Sequence, residues 1–224
     1  MSTQLLRFTL RVVRCEADLR AACRVRQASY GHHLPDLTGA FGEPDELDWH
    51  PDSAVFVAFD KADGRPVGTA RLTTNARQRL AIETSAALPD SLAGRSLAEV
   101  TRLSVLPGHD DPRVKLGLMK ATYLYGMANQ VHWLVIGARS EGLVRGYQRL
   151  GFTDLLPAAR PVPLAHAGHL PHRVLGFDVT AAERNWHAVR HPFYDFMVRT
   201  CHPDIQLFGE PLARPARARL ALVA

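Results

Sequence analysis

The chain has 224 residues, 46% hydrophobic and 22% charged, the balance of a globular domain rather than a disordered segment. No apolar run approaches the roughly 20 residues of a membrane span, so no integral membrane segment is expected. The net charge of +5 is carried by arginine, with lysine only at Lys61, Lys115 and Lys120; a GC-rich coding sequence gives that balance, and so does selection for an acidic partner. Such a partner would be nucleic acid, an anionic membrane surface, a nucleotide cofactor or an acidic carrier protein.

In chain order, "MSTQLLRFTLRVVR" lacks the apolar core and cleavage site of a secretory signal, and its "FTLRVV" alternates as a strand does. "EADLRAACRVRQASY" reads as a helix with Leu19, Ala22, Cys23, Arg26 and Tyr30 on one stripe, which puts Arg26 among apolar neighbours. "AVFVAFD" and "PVGTARLTT" read as a hairpin turning at Asp63 and Gly64. "LAEVTRLSV" is the next strand, "KLGLMKATYLYGMANQ" a helix, and "HWLVIGA" a strand too apolar to own a solvent face. A short helix, "EGLVRGYQRL", ends at Gly151. Beyond Phe152 the chain becomes rich in proline and histidine, with one strand, "HRVLGFDV", and two short helices flanking Pro192. From about Pro211 an Arg/Ala-rich tail begins. The expected architecture is α/β (α+β), a mixed sheet flanked by helices: one domain over 1–210 with an extension from about 157, then the tail over 211–224.

Cys15, Cys23 and Cys201 are odd in number and far from metal-ligand spacing, so they read as reduced thiols of a cytoplasmic protein. His166, His169 and His172 lie in a Pro/Gly loop without acidic or thiol companions and read as surface loop, not as a metal site.

The order strand, helix, hairpin, charged central strand, helix, buried strand and helix ending in "YQRLGF" resembles the GNAT acyltransferases. That resemblance implies a splayed central sheet with an acyl thioester in the split beside "LAEVTRLSV". It also implies a donor site at the start of the following helix, around Leu103, Ser104, Val105, Arg113, Lys115, Leu116 and Gly117. More narrowly, "RVRQASY", "DELDW", "GTARLT" and "EVTRLSV" in that order resemble the LuxI-type acyl-homoserine lactone synthases and the FeeM-type long-chain N-acyl amino acid synthases. The matching positions are Arg26, Tyr30, Asp45, Asp48, Trp49, Arg71, Glu99, Thr101 and Arg102, and "ARSEGLVRGYQRLGF" favours the FeeM type. The resemblance implies transfer of an acyl group from acyl carrier protein to the amine of an amino acid or similar small acceptor. Acyl-phosphopantetheine, or coenzyme A in its place, is then a co-substrate, with no permanent cofactor, metal or nucleic acid.

Aminolysis of a thioester needs a base for the amine proton and an acid for the departing sulfur. Glu99, an acid in a buried strand, is the expected base. Tyr147, in "YQRLGF", is the expected acid. Arg102 stands three residues on, so it shares a face with Glu99 only across a bulge; the plainer alternative is an ion pair from Glu99 to Arg26 or Arg102 that ties helix to sheet. Arg71 suits a fork onto an acceptor carboxylate. Asp45, Asp48 and Trp49 resemble a substrate lid, or else start a helix with an apolar anchor. Where acetyl-CoA enzymes carry a glycine-rich pyrophosphate loop, this chain has "GHDDPRVKLGLM". Its carboxylates and proline make a poor phosphate nest, which favours carrier protein over free coenzyme A. A homoserine lactone synthase using S-adenosylmethionine and a non-catalytic GNAT-like binding domain are the alternatives.

Overall fold

Alternation builds the first long strand. Phe8, Leu10 and Val12 are buried along β2 (Phe8–Val12) while Thr9 and Arg11 are half-buried, and a two-residue β1 (Ser2–Thr3) precedes it. The computed structural model describes residues 2–33 and 41–208; the Arg/Ala-rich tail lies outside the described residues. Helix α1 (Glu16–His33) buries its expected stripe, with Leu19, Ala22 and Cys23 sealed from solvent and Arg26 beside them. The hairpin β3 (Ser53–Asp60) and β4 (Pro66–Thr74) turns through Gly64, whose φ of +72° suits a residue without a Cβ. Then come β5 (Leu97–Val105), α2 (Arg113–Ala128), β6 (Trp133–Ala138) and α3 (Glu141–Gln148). The chain leaves α3 through Gly151 at φ +102°.

The remaining elements are β7 (Thr153–Asp154), β8 (Val162–Leu164), β9 (Leu170–Asp178), α4 (Ala182–Ala188), β10 (Thr200–Cys201) and β11 (Ile205–Gln206). The main sheet runs β11-β2-β3-β4-β5-β6-β9-β7, with β8 on the start of β9, so the histidine-rich part completes the sheet. Lys120 of α2 ties down the chain's last described stretch: its Nζ donates to the carbonyls of Phe196 (2.7 Å) and Thr200 (2.6 Å) and lies 3.0 Å from Nδ1 of His202. No helix among the described residues is long and apolar enough to cross a membrane.

The strands alternate between two cores. On one face Phe56, Ala70, Val100 and Ile136 pack with Val114 and Leu118 of α2 and Val144 of α3. On the other, Val55 and Val57 meet α1, while Leu97, Val135 and Val174 meet Ile82 and Leu164. Arg71 and Glu99 lie on this second face by register. The sheet parts at its middle. β5 and β6 pair in parallel only from Leu97↔Trp133 to Val100↔Ile136, after which β5 continues to Val105 without that neighbour.

Candidate active site

Where β5 leaves β6, a cavity of about 700 Å³ passes through the sheet, within the roughly 300–1,000 Å³ usual for small-molecule sites. Its wall includes Tyr30, Phe41, Arg71 and Glu99 on the α1 side, and Lys115, Ser140 and Tyr147 on the α2 and α3 side. Thr101 to Val105, which includes Leu103 and Ser104, forms the strand edge between them. The bulge on which a shared face for Glu99 and Arg102 depended is present in β5. Ser104 pairs with Thr69 and Thr101 with Arg71, so Arg102 and Leu103 stand opposite Ala70 alone. Arg102 carries the distortion with φ +55°, a region costly for a side-chain-bearing residue. The bulge brings Arg102 to the same cavity as Glu99.

Glu99 is 2% exposed. Its Oε2 accepts the N–H of Ile82 at 3.0 Å, and its Oε1 lies 3.0 Å from Nε2 of His166, outside hydrogen-bond angles. The alternative ion pair to Arg26 or Arg102 is therefore absent, because both arginines are engaged elsewhere. Arg26 grips Asp48 with two hydrogen bonds, 2.7 and 2.9 Å, both side chains sealed from solvent. Arg71 donates from Nη1 to Asp45 (2.5 Å) and Asp48 (3.1 Å) and from Nε to Thr101 (3.1 Å). Arg102 donates to the other oxygen of Asp45 at 3.0 Å and lies over the Phe41 ring, 4.7 Å from its centroid. Burial pushes the Asp45 carboxyl up, but Arg71 and Arg102 outweigh it and hold the group at about 2.

Asp45 and Asp48 thus form a lattice with Arg26, Arg71 and Arg102, the last two in the cavity wall, and the two carboxylates also cap each other's backbone in the turn Glu46–Trp49. Trp49 faces away from the cavity and anchors that turn against Val13, Leu19 and Val55. Tyr30 stacks on Phe41 at 4.3 Å and lines the cavity.

On the donor side, Lys115 reaches into the cavity with its ammonium 5.2 Å from the Tyr147 ring centroid, and burial lowers its pKa. Burial, with Tyr30 adding to it, pushes the Tyr147 phenol well up, so it stays protonated at neutral pH. At the start of α2, Asp111 accepts the N–H of Arg113 at 3.0 Å and holds the guanidinium through Nε and Nη2, both at 3.0 Å. Three expected donor residues lie away from the cavity wall. Arg113 is folded back on Asp111, Leu116 is half-buried against the core, and Gly117 faces the sheet, where an added Cβ would come within 2.9 Å of the Phe8 ring. Gly117 serves helix-to-sheet approach.

The family profile described as N-acyl amino acid synthase FeeM matches residues 21–170. The chain belongs to the FeeM family. The structure of FeeM, an N-acyl amino acid synthase from uncultured soil microbes, is similar at a TM-score of 0.62 and 19% identity, covering 85% of this chain and 98% of that one. A coenzyme A-dependent acyl-homoserine lactone synthase, BjaI, solved with SAM and isopentyl-CoA, gives 0.57 at 17% identity, covering 92% of this chain and 95% of that one. Escherichia coli ElaA gives 0.53 at 15% identity, covering 76% of this chain and 99% of that one. No curated protein sequence matches the chain. The GNAT fold expected from the sequence is the fold observed, and FeeM membership makes the chain an acyltransferase that carries out N-acyl transfer.

The FeeM-matched stretch runs from within α1 to the start of β9 and so contains the whole cavity wall except one further lining residue, His172. Two histidines of this FeeM-family site escaped the sequence reading. His166, expected on a surface loop without acidic company, lies beside Glu99 because the β8–β9 turn folds back over β5. His172, half-buried beside it, donates from Nδ1 to the Leu170 carbonyl at 2.7 Å, and burial lowers its pKa. His169 is exposed, as expected. Among the described residues no three His, Cys, Asp or Glu side chains gather as a metal site.

Proposed function

We propose that the chain transfers a long acyl group from acyl carrier protein to the α-amine of an amino acid. One observation carries this reading: a buried carboxylate with no arginine partner stands in a through-sheet cavity where two strands part. In the reaction, the thioester lies in the split, where the unpaired edge of β5 offers backbone groups to the amides of a phosphopantetheine arm, as an added strand would. The acceptor approaches from the α1 side. Its nitrogen attacks the carbonyl carbon, a C–N bond forms and the C–S bond breaks. Glu99 takes the amine proton, and Tyr147 supplies one to the sulfur.

The acceptor's carboxylate would meet Arg102, which lines the cavity and gives a single hydrogen bond to Asp45, whereas Arg71, committed to Asp45, Asp48 and Thr101, holds the wall behind it; a cation there favours an amino acid over a simple amine. The donor assignment rests on the start of α2. An N–H there that a pyrophosphate would use is already taken by Asp111, and a second carboxylate, Asp110, precedes it. Carrier protein presents a single phosphodiester and an acidic surface, and the arginine-rich charge of this chain complements that surface. The free thiols of Cys15, Cys23 and Cys201 fit a reducing cytoplasm.

Steady-state kinetics with dodecanoyl acyl carrier protein and dodecanoyl-coenzyme A, each against all twenty amino acids, test the proposal, with products identified by mass spectrometry. The expected result is an N-dodecanoyl amino acid, formed with higher kcat/KM from the carrier-protein thioester. Equal or better efficiency with coenzyme A overturns the donor assignment. A lactone formed only with S-adenosylmethionine overturns the acceptor assignment.

A further inference from the structure

An amino acid arrives mostly as its ammonium ion and leaves as an amide, so its nitrogen gives up two protons in each turnover. One makes good the proton that Tyr147 gives to the departing thiol. The other must reach solvent. Resting on the reading of Glu99 as base, this raises the question of how a carboxylate that is 2% exposed discharges a proton.

The titratable side chain against Glu99 is His166, with Nε2 3.0 Å from Oε1, while the carboxylate's other oxygen is held by the Ile82 N–H. The His166 side chain is 22% exposed and lines the cavity, so it spans from the sealed carboxylate toward the outside. Its Nδ1 is buried without a partner among the described residues. A histidine that serves only to orient a neighbour usually has its second nitrogen fixed by a carbonyl or carboxylate, which locks one tautomer. His172 is held in that way by the Leu170 carbonyl, and His166 is not. The position of the ring is nonetheless built: Ala165 donates its N–H to Ser85 Oγ at 3.0 Å, and the following turn closes through Gly168 at φ +67°.

We infer that His166 is the proton outlet of the site, a relay residue that empties Glu99 between turnovers. The amine proton passes to Oε1 of Glu99 and then to Nε2 of His166. The imidazolium then releases one proton to water in the cavity that the ring lines, and the ring returns to neutral. No electrons move, and the sum is one proton delivered to solvent per amide formed.

The test compares His166→Gln and His166→Ala with wild type, using dodecanoyl acyl carrier protein or dodecanoyl-coenzyme A, whichever turns over, and the best amino acid. Glutamine places an N–H donor near the position of Nε2 but cannot take up and pass on a proton. If His166 relays, kcat falls by about 10- to 100-fold in both variants, the KM of both substrates holds within about twofold, and added imidazole restores the alanine variant but not the glutamine one. Circular dichroism and melting curves establish that the variants are folded. Near-wild-type kcat in His166→Gln, or a folded His166→Ala that ignores imidazole, overturns the relay. Glu99→Gln, run alongside, separates the two failures: if it too turns over normally, the base assignment itself is wrong, whereas if it alone is slow, only the relay is.

Discussion

Replacing Asp48 with asparagine removes one charge from the part of the lattice that is sealed from solvent. The Asp48 side chain is fully buried between Arg26, 1% exposed, and Arg71, 2% exposed. It accepts hydrogen bonds from Nη1 and Nη2 of Arg26, Nη1 of Arg71 and the Asp45 N–H, and both of its oxygens are used. Asparagine keeps the shape but turns one oxygen into an NH₂ group that faces donors. Breaking a buried pair costs about 3–5 kcal/mol, and at 2–4 °C per kcal/mol for a chain of this size the melting temperature should fall by about 6–20 °C. Differential scanning calorimetry of Asp48→Asn against wild type reads this directly. Arg20→Ala, which breaks an ion pair more than half exposed on both sides, is the control and should leave the melting temperature in place. A drop below about 2 °C in Asp48→Asn would refute the view that the buried pairs of Asp48 depend on one another.

Two further outcomes follow from single groups. Burial, with Lys120 adding to it, holds His202 at about 4 against an ordinary 6.5, so the unfolded chain takes up this proton first as pH falls; His202's contribution is complete above pH 6.5 and declines toward pH 4 by at most about 3 kcal/mol. Denaturant titrations from pH 7 to 4 should show a shallower decline in His202→Gln than in wild type, and identical slopes would contradict the assignment. Tyr147→Phe should lower kcat by about 100-fold for an alkyl thioester and much less for a thiophenyl ester, whose leaving group needs no proton; equal losses on both donors would remove Tyr147 as the acid.

What was legible in the sequence is what nearest neighbours decide. Strand β2 alternates, β6 is an apolar run, α1 carries its stripe, and the glycines at 64 and 151 stand where the chain needs positive φ. The bulge at Arg102 was legible as a condition, because a glutamate and an arginine three apart in one strand can face one cavity only across an extra residue. The rest depends on contacts between segments far apart in the chain. Gly117 reads like a phosphate-loop glycine until Phe8 is seen against it. Asp45 and Asp48 read either as a substrate lid or as a helix start with an apolar anchor; the capped helical turn is what forms, and the arginines that bind it into the wall come from the distant α1 and β4. His166 sits in a proline- and glycine-rich stretch that signals surface, and its acidic companion comes from β5 through a hairpin fold-back that no local pattern encodes.

The most direct test of the account is single-turnover acyl transfer by Glu99→Gln, measured by rapid quench and mass spectrometry with a preformed enzyme–thioester complex and saturating amino acid. The substitution keeps the size of the side chain and its contact with the Ile82 N–H but loses the base. The account predicts that amide formation slows by about 100-fold or more, with the melting temperature and thioester binding retained. Amide formation at the wild-type rate would contradict it.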